Sequence, residues 1–458
     1  MIAERSTTLV SLKLIYHDCN IMEYSLMRLY CVSATTAVVA VWCLTHCNVA
    51  TAQTPHLAAE STLTSGDWPG WRGPAVNGIA SPDQDPPLEW SQDENVLWRT
   101  PVAGRGHGSP TVLGSHVYLP TADEKRKVQL VLCFDRQTGK QLWESVVHND
   151  GFENKSGRKA NEKATLASST IATDGKRLYI NFINDSAMYT SALDLTGKVV
   201  WQTRVNDYLI HQGYGSSPAI YDDLILVTCD NKAGGAIAAL NRNTGDIVWK
   251  HKRPELPNYA SPVVLNVDGR DQLIVTGCDL VTSLNPSSGE VLWEIEGATT
   301  ECVTTTVTDG THVFSSGGYP RNHLAAIAAD GSGEIVWDEN LRVYVPSILC
   351  RDGHLYLVLD AGVAMCLDSK TGETMWKKRL GGSFTSSPVM VKDRIYATNE
   401  DGETFIFRAS PDRYESLGEN QIGESVFASV AIAGGHLYLR TAAREGDTRQ
   451  EYLYCIGK

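Results

Sequence analysis

From about residue 95 onward, apolar and polar positions alternate in short runs, each closed by Gly, Asp, Asn or Ser. Residues 347–380 are representative: SILC, a turn at Arg351-Asp352-Gly353, HLYLVLD, a short turn, VAMCLD, an SKTG turn and ETMWKKRL. A period of two predicts half-buried strands, and the tight Gly turns between them predict antiparallel hairpins. No spacing of three and four residues persists over a helix-length window, so helical repeats are not expected.

The unit recurs. A small or apolar pair, Asp or Asn, a turn ending in Gly and a strand closing on Trp appears as CFDRQTGKQLW, ALDLTGKVVW, ALNRNTGDIVW, SLNPSSGEVLW, AADGSGEIVW and CLDSKTGETMW, ending at Trp143, Trp201, Trp249, Trp293, Trp337 and Trp376. A Ser/Thr marker precedes each unit, at Ser109, Ser169, Ser217, Ser261, Thr305, Ser347, Ser387 and Ser429, with spacings of 60, 48, 44, 44, 42, 40 and 42 residues. A period of about 40–45 residues with four strands per unit is that of a propeller blade. The expected fold is therefore all-β, an eight-bladed β-propeller of four-stranded antiparallel blades over residues 95–458. The eighth unit runs out of chain after three strands, whereas NVLWRTPV near residue 98 is a strand without a unit. Placing that N-terminal strand outermost in the last blade, with Trp98 as its closing Trp, ties the termini together and removes an open sheet edge.

These motifs resemble the tryptophan-docking repeat of PQQ-like propellers, shared by quinoproteins and by outer-membrane assembly proteins of the BamB type. The leader DWPGWRGP at 67–74 is similar to the start of secreted propellers of this kind from planctomycete-like bacteria. The resemblance implies two roles, a non-catalytic envelope scaffold or an oxidoreductase binding PQQ and Ca²⁺ in its central funnel. Quinoprotein alcohol dehydrogenases pack their cofactor beneath a disulfide between adjacent cysteines, and this chain has no Cys-Cys pair.

Composition refines the picture. The formal charge of −13 disfavours nucleic-acid and anionic-membrane partners, which need a basic face. Residues 27–52 hold Arg28, an apolar run from about Val32 to Leu44 and Ala50-Thr51-Ala52, the pattern of a secretory signal peptide cleaved near Ala52. Residues 1–26 read as an upstream extension and residues 53–94 as an N-terminal leader. The mature chain is expected to be exported to the periplasm or beyond, as a monomer, with peripheral membrane association left open. Its seven cysteines show no C-x-x-C spacing for zinc, so no metal site is assigned. Cys133, Cys366 and Cys455 share one register and Cys229 and Cys278 another, as buried small residues do.

Propeller topology gathers the loops before each blade, and those between its middle strands, on one face around the channel. The ligand-binding candidates there are Arg105, His107, His211, Tyr214, Tyr259, Glu301, Tyr319, Arg321, His323, Tyr344, Asn399 and Arg440, joined by Asp230, Asn231, Lys232, Asp360, Phe384, Glu400 and Phe427. In GRGHG at 104–108 the glycines beside His107 are expected to let a ligand approach the backbone. For a PQQ and Ca²⁺ site the available groups are Arg105, Arg321, Glu301 and Asn399. The longest spacing contains SVVHNDGFENKSGRKANEK at 145–163, whose Lys155, Arg158, Lys159 and Lys163 make a basic loop. The repeating serines read as turn residues, and no nucleophile or acid/base constellation stands out. The readings carried forward are a non-catalytic scaffold for an envelope protein or polysaccharide, a PQQ-dependent dehydrogenase, and a hydrolase or lyase acting on polysaccharide.

Overall fold

The computed structural model describes residues 63–153, 160–446 and 448–458. Residues 1–62, which carry the expected signal peptide, and 154–159, which carry Lys155, Arg158 and Lys159, lie outside it. The described residues form eight four-stranded antiparallel sheets. Blade one consists of Thr111–Leu113, His116–Asp123, Val128–Asp135 and Gln141–Asn149, and blades two to seven repeat this order up to Ser416–Gln421. Blade eight combines Ala431–Ala433, His436–Glu445 and Thr448–Ile456 with Val96–Val102 from the other end of the chain. Trp98 pairs with Cys455, so the N-terminal strand closes the ring as the outer strand of the last blade.

The Trp repeat is a docking device. A one-residue bulge just before the Trp leaves Leu142, Val248 and Met375 unpaired and exposed on the outer strands of their blades, which turns the indole toward the next blade. There its N–H donates to the carbonyl after the turn Asx: Trp98 to Arg136 (3.0 Å), Trp201 to Arg242 (3.0 Å), Trp249 to Pro286 (3.1 Å) and Trp337 to Ser369 (2.9 Å). Across the sheet each indole faces a small residue, Cys133 for Trp143, Ala239 for Trp249 and Cys366 for Trp376. The cysteines sit there because they are small, and burial pushes the Cys133 thiol up to about 12. Trp293 departs from the pattern. It donates to Gln272 in its own blade (2.7 Å), Gln272 passes the link on to Ala329 of blade five (2.8 Å), and Ile295 covers the turn glycine Gly333.

Where an indole lies over a turn glycine, that glycine has no room to grow. Gly289 holds φ +73°, and a Cβ there would lie 2.5 Å from the Trp249 ring; Gly353 holds φ +76° with open space around it. Gly289→Ala is expected to cost about 2–4 kcal/mol, from left-handed strain plus overpacking, against about 1 kcal/mol for Gly353→Ala. Urea unfolding of the two variants checks the difference.

The repeating hydroxyls form a second ring, around the channel. The amide of Ser109 donates to Thr170 Oγ1, Thr170 to Ser217 Oγ and Ser217 to Ser261 Oγ, and the chain resumes from Thr305 through Ser347 and Ser387 to Ser429, which returns to Ser109 Oγ (3.1 Å). Thr170, rather than the expected Ser169, is the member from blade two. Between blades four and five the link is made instead by Tyr259 N to the Cys302 carbonyl and by Cys302 N to Asn258 Oδ1.

The leader seals one end of the channel. Trp68 pairs its backbone with Val112, Pro69 accepts from Thr173 N, Arg72 donates to the Ile348 carbonyl and Gly78 accepts from Met390 N. These partners lie just beyond the hydroxyl ring, on blades one, two, six and seven. From this plug Trp71 donates its indole N–H to Thr305 Oγ1 (2.7 Å), a member of the ring.

Candidate functional site

The other end of the channel opens into a funnel of about 600 Å³, with Trp71 lining it from the leader. Its wall comes from loops preceding the inner strands, which carry His107, Tyr214, Tyr259, Glu301, Tyr344, Phe384 and Phe427, and from Tyr319, Asp360 and Glu400 on middle-strand loops. Rigid blades hold these loops, and six of the seven inner ones are anchored where an amide enters the hydroxyl ring.

Glu301 ties separate loops together. Buried, it receives Tyr344 Oη on Oε2 (3.1 Å) and His211 Nε2 on Oε1 (3.2 Å), so loops of blades three, five and six converge on it. Lys232 Nζ lies 3.3 Å from His211 Nδ1. An ammonium only donates, so Nδ1 accepts and His211 offers Nε2–H to the carboxylate. Across the mouth Lys163 Nζ reaches both oxygens of Glu400 (2.6 and 2.8 Å), joining the loop before blade two to blade seven, and Thr385 Oγ1 donates to the same carboxylate (2.5 Å). Asp360 Oδ2 accepts from Tyr344 N (3.0 Å), and burial pushes its carboxyl above the usual range. Arg342 lies over the Tyr344 ring and donates to the Gly318 carbonyl (3.1 Å). His107 stacks on Phe427, with ring centroids 4.5 Å apart.

Other expected residues point elsewhere. Arg440 is buried in a pair with Glu451 (2.6 Å) and donates to the Pro120 carbonyl, clamping blade eight to blade one. Asn399 caps its own hairpin, donating to Glu403 Oε2 (2.6 Å) and accepting from the amides of Asp401 and Glu403. Asp230 meets Arg253 inside the blade interface, and Asn231 accepts from Leu209 N and Ala233 N. His323 is buried against Ser315 (3.1 Å). Exposed Arg321 donates to the Ala298 carbonyl, and Arg105 donates to the Glu162 carbonyl and lines an adjoining cavity of about 450 Å³. The glycines of GRGHG serve the protein rather than a ligand: a Cβ on Gly106 would lie 2.6 Å from Arg440 and one on Gly108 2.3 Å from Pro120. Missed in the sequence were Trp71, Gln212 and Arg342. Trp71 alone had a signal, as a Trp outside the repeat flanked by Gly and Pro.

The buried histidines make the fold acid-sensitive. Burial lowers His148 and His323 to about 4, and His107 is held well below the ordinary value by burial and neighbouring arginines. Unfolded imidazoles protonate near 6.5, so between about 6.5 and 4 the unfolded chain binds more protons, and stability falls as pH falls. The loss is expected to reach about 2–3 kcal/mol per histidine at pH 4. Urea unfolding between pH 7 and pH 4.5 checks this, with His148→Gln and His323→Gln flattening the slope.

The funnel does not fit PQQ with Ca²⁺. Of the four residues available for that site only Glu301 faces the cavity, and it is already held by Tyr344 and His211. Three carboxylates line the same space as Lys163 and Arg342, so no surplus cation awaits the carboxylates of the quinone. Among the described residues no three His, Cys, Asp or Glu side chains converge as metal ligands.

Comparison with known proteins agrees with the architecture. The chain is 26% identical over 383 residues to the outer membrane protein assembly factor BamB of Yersinia pestis, covering 79% of this chain and 89% of that one. Its structure is similar to that of BamB from Moraxella catarrhalis (TM-score 0.55, 14% identity, 78% and 96% coverage). It is also similar to quinohemoprotein alcohol dehydrogenase from Comamonas testosteroni (TM-score 0.60, 12% identity, 88% and 82% coverage), a likeness of fold. The family model described as outer membrane protein assembly factor BamB matches residues 88–149, 127–378 and 320–412. With its docking tryptophans, its ring closure and this match, the chain belongs to the BamB-type family of PQQ-like β-propellers.

Proposed function

We propose that the protein is a non-catalytic binding or scaffold module of the cell envelope, exported behind residues 27–52 and presenting its funnel face to a protein or glycan partner. One observation carries this reading: the acids at the funnel already have protein partners, Glu400 in Lys163 and Glu301 in the His211 Nε2–H and Tyr344 Oη donors. Such a surface is preorganised and close to charge-balanced, which suits recognition, whereas a reaction centre keeps a nucleophile, base or open coordination position for its substrate. Similarity to proteins named as outer membrane assembly factors supports the same role.

A photo-crosslinking residue at Tyr319, exposed at the mouth, is expected to give discrete adducts in envelopes, and one at Val248, on the outer rim, is expected to give none. Equal labelling from both positions would remove the assignment to this face. Saturable PQQ and Ca²⁺ binding with dye-linked alcohol oxidation would replace the scaffold by the dehydrogenase.

A further inference from the structure

The funnel is closed below by the leader, so it is a blind pocket. Its volume of about 600 Å³ lies in the range of small-molecule sites, about 300–1,000 Å³. A partner can therefore insert only a chain end or a small group.

Two features narrow the chemistry of that group. Much of the wall is aromatic, with Trp71, Tyr259 and Phe427 around the cavity. Of the carboxylates there, Glu400 is paired with Lys163 and Glu301 is held by two neutral donors, His211 Nε2–H and Tyr344 Oη, so both are fixed in place as acceptors. Each carboxylate has about four acceptor sites, so lone pairs remain for neutral donors. Inner-strand amides such as Ser217 N are engaged in the hydroxyl ring and so do not serve as partners for a ligand backbone. Extended peptides usually bind through such main-chain bonds. A sugar needs none of them: its C–H faces lie on aromatic rings and its hydroxyls donate to planar carboxylates.

We infer that the funnel accepts the end of a neutral oligosaccharide, held between the aromatic wall and the carboxylates of Glu301 and Glu400 above Trp71. The inference rests on the binding-module reading and gives it a ligand class. Sequence position conceals the site, since its floor comes from the leader and its wall from several blades.

The full exported chain is titrated, by calorimetry and by tryptophan fluorescence, with maltotriose, cellotriose and triacetylchitotriose. Trigalacturonate, a chitosan trimer and trialanine serve as anionic, cationic and peptide probes. At least one neutral trisaccharide is expected to bind saturably, and Phe427→Ala and Glu400→Gln each to weaken it about 10-fold, or about 1.4 kcal/mol, with the melting curve of Glu400→Gln unchanged. Glu400→Gln keeps the carbonyl acceptor and loses the charge, so it reads the site even if Phe427→Ala fails to fold. Absence of binding by all neutral probes up to about 10 mM, preference for a charged or peptide probe, or affinity untouched by Glu400→Gln overturns the inference. If saccharides fail while crosslinks from Tyr319 persist, only the ligand class falls. If a bound sugar is oxidised with dye reduction, the saccharide site stands and the non-catalytic reading falls.

Discussion

Replacing Val96–Val102 by a Gly/Ser segment of equal length is expected to abolish cooperative folding. The segment contributes the outer strand of blade eight, with Trp98 and Val102 buried and residues from Val96 to Val102 paired against Glu451–Ile456. Burial of those two side chains stabilises by about 1.5–3 kcal/mol each, and each ladder hydrogen bond adds about 0.5–1.5 kcal/mol. The combined loss, upward of about 5 kcal/mol, reaches the lower end of a native domain's margin of about 5–15 kcal/mol. Trp98 also carries the hydrogen bond to Arg136 and the cover over Gly139, so blade one loses the indole docked on its turn. The exposed edge of Thr448–Ile456 then becomes a template for association. Thermal and urea unfolding with limited proteolysis measure the effect, and an unchanged midpoint with intact protection of the last blade would refute the closure energetics.

Asp230→Ala is expected to destabilise by about 3–5 kcal/mol, the cost of leaving a buried charge without its partner. The Arg253 guanidinium and the Asp230 carboxylate are both essentially inaccessible, 3.3 Å apart. Arg253 also donates to the Gly277 carbonyl (2.8 Å) and to Thr282 Oγ1 (2.5 Å), and Asn258 donates to both Asp230 (3.1 Å) and the Thr276 carbonyl (2.9 Å). One carboxylate thus holds blade three against blade four, close to where the hydroxyl ring is interrupted. Asp230→Leu combined with Arg253→Met should recover part of the loss, because no buried charge is left uncompensated, although the Gly277 carbonyl and Asn258 each lose a partner. Chemical denaturation of the single and double variants makes the comparison, and equal destabilisation of both would show that packing rather than charge dominates.

The contrast between Asp230 and Glu301 shows where sequence reading stops. Both are acids in loops expected on the channel face, and their neighbours in the chain do not distinguish them. Asp230 meets Arg253 in the blade interface, while Glu301 meets His211 and Tyr344 at the cavity. Arg440 and Asn399 behave as Asp230 does, turning into a clamp and a hairpin cap. The GRGHG glycines were legible as crowded backbone, yet what crowds them is Pro120 and Arg440. Lys163 was legible as part of a basic loop and Glu400 as a residue of the funnel face, while their pairing across 237 residues was not.

The sequence by itself determined the architecture: the period, the strand count, the closing role of Trp98, and the pairing of a small residue with a following Trp that docks on the next turn. These follow from local patterns repeated seven or eight times, and repetition makes a weak signal readable. Tertiary structure alone decided that the leader plugs the channel with Trp71, which acids face the cavity, and which charges cancel. Those contacts join single residues from different blades and occur once each, so they leave no period in the chain, and only the closed ring brings their partners within hydrogen-bond reach.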